Sequence, residues 1–95
     1  MVVGVLELTL VLYDTSSLKS KRSVVRRVSN RIRAVFNAAA AEVDDLDDHD
    51  HAVLGVVVVA NEHRFVESVL DKIERFVERL KLAELAWTQR AIDHY

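Results

Sequence analysis

A dense cluster of cationic side chains is the part of this sequence whose residue types are best suited to chemistry. Residues 16–27, SSLKSKRSVVRR, hold five basic residues, and residues 15–41 hold seven basic residues and no acidic one. Ammonium and guanidinium groups bind the oxygens of phosphates and carboxylates. The other six basic residues are mixed with all fifteen acidic residues. The cluster therefore indicates an anion-binding surface confined to one segment of the chain.

An amphipathic helix is expected to position these cations. Apolar residues recur at a helical period over residues 18–36, and Ser17 is a suitable N-cap. At about 100° per residue, one row of cations lies beside the apolar stripe and consists of Lys19, Arg22, Arg26 and Arg33. Lys21 instead points along the apolar side and is expected to reach past the end of the sheet. Backbone N–H groups behind Ser17 add to an anion site. The predicted anion-binding or nucleic-acid-binding residues are Ser17, Lys19, Lys21, Arg22, Arg26 and Arg33.

Another interpretation of this helix is structural. Exposed arginine side chains commonly pair with acidic residues, which here would belong to a second helix or to a second copy of the chain. The sequence leaves both interpretations open, because acidic residues outnumber basic ones in the rest of the chain.

The remaining periodicity predicts two successive strand–helix–strand units. Leucines alternate with other residues over residues 5–13, and residues 52–60, AVLGVVVVA, are apolar on both faces, which is typical of a central strand. The order β-α-β-β-α-β predicts a single ferredoxin-like α+β domain over residues 1–95, with two helices on one face of a four-stranded antiparallel sheet and strands 1 and 3 in the centre. The other predicted elements are a strand over residues 38–43, a helix that Asn61 caps, and a strand from residue 83 to about residue 92.

The segment DDLDDHDH, residues 44–51, holds five carboxylates and two imidazoles that could ligate a divalent ion. Its spacing matches neither a calcium-binding loop nor a zinc motif. We therefore interpret it as a solvated hairpin turn and predict no metal site and no cofactor. His63, shortly after the Asn61 cap, is interpreted as a surface residue of the second helix.

The sheet face opposite the helices offers no platform for stacking bases. Modules that bind RNA on this face carry aromatic residues on the two central strands. Here strand 3 holds only Ala, Val, Leu and Gly, and strand 1 holds Tyr13 at its end. Such an apolar face needs cover. We predict a homodimer through the sheets or their edges; the alternative cover is a C-terminal tail with Trp87 folded over the face.

Composition disfavours several function classes. The chain has no cysteine, and its two glycines, Gly4 and Gly55, both lie in predicted strands, which excludes thiolate chemistry and a glycine-rich phosphate loop of the acylphosphatase kind. We predict that the protein is not an enzyme. The longest uncharged apolar run has nine residues, too few to span a bilayer. The first residues lack the pattern of a secretion signal, which favours a cytoplasmic location.

Several strings of the sequence together resemble one known family. They are VGVLEL, SLKSKRSVVRRV, FNAAAAEVDDLD, LGVVVVAN and VLDKIERFVE, and the most specific are S-L-K-x-K-R, residues 17–22, and A-E-V-D, residues 41–44. From residue 3 to about residue 92 the chain resembles the YlxP-like family of small bacterial proteins, a domain-of-unknown-function family. Family members often carry Trp in the turn before strand 3, where this chain has Asp and His.

The resemblance implies a ferredoxin-like βαββαβ domain with no established activity. It also implies a connection with RNA or the ribosome, because family members tend to be encoded among genes for transcription elongation, translation initiation and ribosome maturation. With the basic helix, this predicts a small cytoplasmic homodimer that binds RNA or a ribosomal surface through phosphates, without a small-molecule cofactor or a membrane. The alternatives are a protein-binding or self-assembling module without nucleic acid and, in third place, an enzyme acting on a phosphorylated small molecule.

Overall fold

The structure is a computed structural model that describes residues 1–13 and 15–95. Its strands and helices follow one another in the predicted order, and each predicted element is present with small differences at its ends. The elements are β1 (Val2–Leu12), α1 (Leu18–Val35), β2 (Ala39–Asp44), β3 (His51–Ala60), α2 (His63–Leu80) and β4 (Ala83–His94).

The four strands form one antiparallel sheet in the order β2-β3-β1-β4. Strands β1 and β3 are therefore central, as predicted. Strand β1 extends beyond the alternating residues 5–13 to Val2, because Val2 lies opposite both Ala60 of β3 and His94 of β4. With both helices on one face, the architecture is the predicted ferredoxin-like α+β sandwich.

Alternation along β1 builds the core. Leu6, Leu8 and Leu10 are fully buried, and removing each such side chain from water contributes about 1.5–3 kcal/mol. Helix α2 approaches β1 so closely that a side chain at Gly4 would collide with Val66, so this glycine sets the distance between α2 and the sheet.

Both helices carry a polar outer face, and within the part of the chain that the structure describes no helix combines the length and apolar character that crossing a membrane requires.

The two helices begin in different ways. The Ser17 side chain accepts a hydrogen bond from the Ser20 N–H at 3.2 Å, and the Ser20 side chain accepts one from the Ser17 N–H at 3.3 Å. This capping box confirms the predicted cap of α1. The predicted cap of α2, Asn61, is wrong: the N-cap is Glu62, whose carbonyl accepts the Val66 N–H and whose side chain makes no capping bond. Side-chain propensity favours Asn61, but the helical hydrogen bonds begin one residue later.

The segment between β2 and β3 is a turn, as predicted. Asp45 has a left-handed backbone with a φ of 56°. Asp48 Oδ1 accepts hydrogen bonds from the N–H groups of Asp50 at 2.8 Å and His51 at 3.1 Å, and these bonds, that of Asp50 first, lower the pKa of Asp48 from its ordinary value of 3.8. Among residues 1–13 and 15–95 no group of three or more His, Cys, Asp or Glu is arranged to hold a metal ion. The divalent-ion interpretation of the turn thus gains no support.

A buried ion pair connects α1 to β2. The Lys21 ammonium is fully buried, lies 2.9 Å from Glu42 Oε2, and donates a hydrogen bond of 2.5 Å to the carbonyl oxygen of Asp45. Glu42 Oε2 is also buried and accepts no well-aligned hydrogen bond from the described residues, so its attraction to Lys21 is chiefly electrostatic. Because Lys21 is fully buried and Glu42 Oε2 is shielded from water, while 15% of the Glu42 side chain is exposed, removing one member leaves a largely buried charge without a partner.

Removing Lys21 alone is expected to destabilise the fold strongly. Lys21→Met leaves Glu42 Oε2 shielded from water and unpaired, which lowers the free energy of unfolding by up to about 3–5 kcal/mol. The double variant Lys21→Met, Glu42→Leu removes both charges and is expected to regain most of this loss. Urea unfolding at neutral pH measures both. Lys19→Met, at an exposed position of the same helix, is the control and shifts stability by less than about 0.5 kcal/mol; a Lys21→Met loss no larger than the control's would contradict the assigned role.

The hydrogen bonds to Asp48 are expected to make the turn sensitive to pH. Because the folded-state pKa is lowered, ionised Asp48 stabilises the fold above its ordinary pKa of 3.8, and this contribution is lost as the pH falls through the lower folded value. Asp48→Ala should therefore reduce the urea midpoint at about pH 7 and differ less from the wild type at about pH 2. Asp47→Ala in the same turn is the control, and equal effects of the two substitutions at neutral pH would count against the assignment.

Candidate nucleic-acid interface

The exposed side of α1 presents the predicted row of cations. Val25, Val28 and Ile32 are buried and hold the helix against the sheet, and the row lies beside this buried face, where its side chains reach solvent. The row extends over about 21 Å of the helix, from the rise of about 1.5 Å per residue. We define this basic row as Lys19, Arg22, Arg26 and Arg33, all of which are exposed.

The first three members of the basic row have no acidic partner among residues 1–13 and 15–95. No carboxylate oxygen of the described residues lies within 4.0 Å of them. Pairing with acidic residues of α2, the structural interpretation of the row, is not observed: Asp71 and Glu74 instead pair with Arg90 of β4. The first turn of α1 contains no acidic residue either, so the cations and the positive end of the helix dipole act in the same direction.

Arg33, the last member of the row, is bound to the neighbouring strand. One terminal nitrogen donates to the carbonyl oxygen of Ala40 in β2 at 2.5 Å, and the other donates to Asn30 Oδ1 at 2.6 Å. These bonds place the row on the side of α1 that faces β2. The guanidinium remains exposed, but its terminal nitrogens are engaged within the protein. Arg33 therefore adds charge to the surface and fixes the end of α1, and its contact with a phosphate stays a prediction.

Two of the predicted anion-binding residues are engaged elsewhere. The helical pattern predicts that Lys21 reaches past the end of the sheet, but its ammonium is buried between Glu42 and the Asp45 carbonyl. Strand β2 and the turn close the side to which Lys21 points, so we remove Lys21 from the site. The Ser17 hydroxyl bonds with the N–H and side chain of Ser20 and is thus used within the helix.

Helix α2 contributes further cations, which the sequence analysis missed. Lys72, Arg75 and Arg79 line a cavity of about 380 Å³ where α2 meets the end of α1 at Val35 and Phe36. In the sequence these cations alternate with acidic residues, which hides their grouping. At about 100° per residue the cations gather on one side of α2 and the acidic residues on another. This sorting by face is the signal that would reveal them.

The same junction forms an apolar groove between the helices. Phe36 packs edge-on against Phe76, with ring centroids 5.4 Å apart and an angle of 84°. A second cavity of about 310 Å³ continues past Val35 to Phe65; we call the two adjoining cavities the interhelical groove. Val35 and Phe65 are 57% and 56% exposed, so the groove presents apolar surface beside the cations of α2.

The open face of the sheet, which the helices do not cover, carries no aromatic side chain on its central strands. The residues of β1 and β3 that point to it are mainly valines, in agreement with the missing stacking platform. Trp87 lies within the edge strand β4, opposite Thr9 of β1, and its side chain is 65% exposed. The alternative of a C-terminal tail folded over this face is therefore not what the structure shows.

One polar cluster joins residues that are far apart in the sequence, so it has no local signal. His63, the first residue of α2, lies 2.7 Å from His94 Nε2 through its Nδ1 and 2.6 Å from Glu67 Oε1 through its Nε2. The two imidazole rings are stacked with centroids 4.9 Å apart. The cluster ties the start of α2 to the end of β4, at the opposite end of the sheet from Lys19.

Among solved structures, a de novo designed protein with a ferredoxin fold, determined by solution NMR, is similar to the whole chain. The TM-score is 0.57 and the sequences are 20% identical, with a match that covers 100% of this chain and 87% of that protein. At this identity the likeness shows the fold alone.

Comparison of the sequence with known proteins identifies the family of the chain as well as its fold. "Uncharacterized protein YlxP" of Bacillus subtilis (strain 168) is 28% identical to the chain over 76 residues, which make up 80% of this chain and 83% of that protein. The sequence pattern of the family described as "Protein of unknown function (DUF503)" matches residues 3–90, a span that contains the basic row and the buried ion pair. The chain therefore belongs to this family of unknown function and, as its strings of residues imply, is YlxP-like.

Proposed function

We propose that the protein is a nucleic-acid-associated module that binds RNA, free or at a ribosomal surface, through its phosphates. The exposed basic row supports this proposal most, because the charges of its first three members are not neutralised by the described residues. Lys19, Arg22 and Arg26 follow one another at rises of about 4.5 and 6 Å along α1. Long cationic side chains at such spacing can contact successive phosphates of one backbone.

The cations of α2 enlarge the proposed surface. Lys72, Arg75 and Arg79 lie at the junction with the end of α1, so that positive charge extends across the helix layer. The acidic side of α2 is turned towards β4, where Asp71 and Glu74 hold Arg90. An anionic partner is therefore attracted to the outer surface of the helices.

The protein is expected to recognise RNA by shape and charge rather than by base identity, because the central strands lack aromatic side chains. Base-stacking modules of this topology need aromatic side chains on the central strands, and β1 and β3 expose valines instead. Structured RNA, whose phosphates occupy fixed positions, fits a rigid helical row better than a flexible single strand does. The proposal thus favours folded RNA as the ligand.

The proposal predicts salt-dependent binding of a structured RNA hairpin. In a fluorescence-anisotropy titration at several salt concentrations, the logarithm of the association constant should fall linearly with the logarithm of salt concentration, with a slope of about −0.7 to −0.9 per phosphate contact. The triple variant Lys19→Glu, Arg22→Glu, Arg26→Glu should lose at least about tenfold in affinity and most of the slope.

A charge-matched control separates a defined site from general attraction. The variant Arg27→Glu, Arg64→Glu, Lys81→Glu changes the net charge by the same amount at exposed positions outside the basic row, and it should retain most of the affinity. Binding that does not weaken with salt, or that both triple variants weaken equally, would contradict the proposed site. Thermal unfolding of each variant checks that the fold is intact.

The interhelical groove supports a second candidate function, the binding of an acidic protein segment. Apolar surface at Phe36, Phe65 and Phe76 beside the α2 cations suits an amphipathic segment with apolar anchors and flanking carboxylates. Absence of RNA binding at low salt, together with a protein complex that dissociates at high salt, would favour this candidate. The enzymatic alternative at the start of α1 loses support, because Lys21 is buried and the Ser17 hydroxyl is engaged.

A further inference from the structure

The open face of the sheet combines apolar surface with a projecting aromatic side chain. The residues that alternate with the buried leucines of β1, and their neighbours across the strands, are mostly valines and alanines. Val43, Val59 and Trp87 are 51%, 54% and 65% exposed on the strands that form this face. No Lys or Arg points to it from the described strands, and Glu7 lies at its centre. A phosphate backbone is therefore a poor occupant, whereas an apolar surface is a good one.

One side of this face contains a hollow. Gly55 of β3 lies between Glu7 of β1 and Ala41 of β2, and the small residues Ala39, Ala41 and Gly55 leave a cavity of about 340 Å³ that Glu7 also lines. Val43 closes the end that faces the level of Val53, and its Cγ1 lies 2.8 Å from where a Cβ of Gly55 would be, so its side chain covers Gly55. The hollow is open to solvent and lined mainly by apolar atoms.

The other side of the face carries the projecting side chain of Trp87. Trp87 stands on β4, which pairs with β1 on the side away from β3 and β2. It lies at the level of Thr9 and Val53, two residues from the level of Gly55, or about 7 Å along the strands. The projection and the hollow thus lie on opposite sides of β1.

We infer that a second copy of the chain covers the open face, in a two-fold dimer in which Trp87 of each copy packs against Val53 and Val43 of the other, beside the Gly55 hollow. A two-fold axis parallel to the strands and passing over β1 exchanges the two sides of that strand. It therefore brings β4 of one copy over β3 and β2 of its partner, and both contacts form together. Because this axis preserves the position along the strands, the indole of one copy meets Val53 of β3 and the exposed Val43 of β2 in the other copy.

The area of the face agrees with such a dimer. Four strands about 4.8 Å apart and about ten residues long, at about 3.3 Å per residue, cover roughly 600 Å² on each copy. The roughly 1,200 Å² buried in total lies at the lower limit of specific protein interfaces. The inference does not depend on RNA binding, and the dimer leaves both helix layers exposed on its outer sides.

Glu7 opposes this association. It lies on β1, near the two-fold axis, so that the Glu7 carboxylates of the two copies come close together out of water. The neighbouring side chain across the strands is Gln89, which is neutral. Replacing Glu7 by Gln keeps the shape of the side chain and removes the repulsion, which gives the interface a variant that should strengthen it.

Two substitutions on this face are expected to change the dimer in opposite directions. Sedimentation equilibrium of the full chain over about 1–500 μM should show that Trp87→Ala weakens the dimer at least about tenfold and that Glu7→Gln strengthens it several-fold. Trp87 is the only tryptophan of the chain, so its fluorescence reports its own burial. The wild-type emission should shift to shorter wavelengths as concentration rises, with the same midpoint as sedimentation.

Phe65→Ala is the matched control, because Phe65 is an exposed aromatic residue of the helix layer and should leave the dimer constant unchanged. A wild-type chain that stays monomeric throughout the range overturns the inference. A dimer that responds to Phe65→Ala but not to Trp87→Ala assigns the contact to the interhelical groove and also overturns it. The RNA affinity of the Trp87→Ala variant tests the proposed function separately from the dimer. This variant leaves the basic row unchanged, so its RNA affinity should persist whether or not the dimer forms.

Discussion

An ammonium group removed from water is stable only where other groups replace its hydration. Lys21 meets this condition at Glu42 in β2 and at the Asp45 carbonyl in the following turn. The contact fixes the first turn of α1 relative to the β2 edge, and with it the direction in which the basic row points. The strings S-L-K-x-K-R and A-E-V-D, which characterise the sequence most specifically, meet at this pair, so together they encode a tertiary contact as well as a charged helix.

The fold separates charges that are close together in the sequence. Within one helical segment Lys21 turns inward, while Lys19, Arg22 and Arg26 turn to solvent. In α2 the acidic residues that lie towards β4 bind Arg90, and the cations lie towards α1. The positive charge of α1 is already grouped in the sequence, whereas that of α2 is grouped only by the faces of the folded helix, and together they give a chain with a net charge of −2 a cationic helix layer.

The elements and the topology could be predicted because the spacing of apolar residues repeats within each segment. Leucines alternate along β1, and apolar residues recur at the helical period in both helices. These local patterns could not predict partners that only the folded chain brings together. Lys21 falls within the apolar arc of α1, which was a sign of burial, but its acceptor Asp45 lies 24 residues away. For the same reason the Arg33 bond to β2 and the His63 contact with His94 had no local signal. The cap of α2 was misplaced because the side-chain propensity of Asn61 was followed rather than backbone geometry.

The missing acidic residue in the first turn of α1 has a kinetic consequence. A carboxylate there would neutralise the helix dipole and shorten the range of the local field. Without it, the dipole and the neighbouring cations add to a potential that reaches about a Debye length, 8–10 Å, into solution. Such a field accelerates encounter with an anionic partner more than it slows departure. Under the proposed function, the start of α1 governs how often productive collisions with RNA occur, and ionic strength sets that frequency.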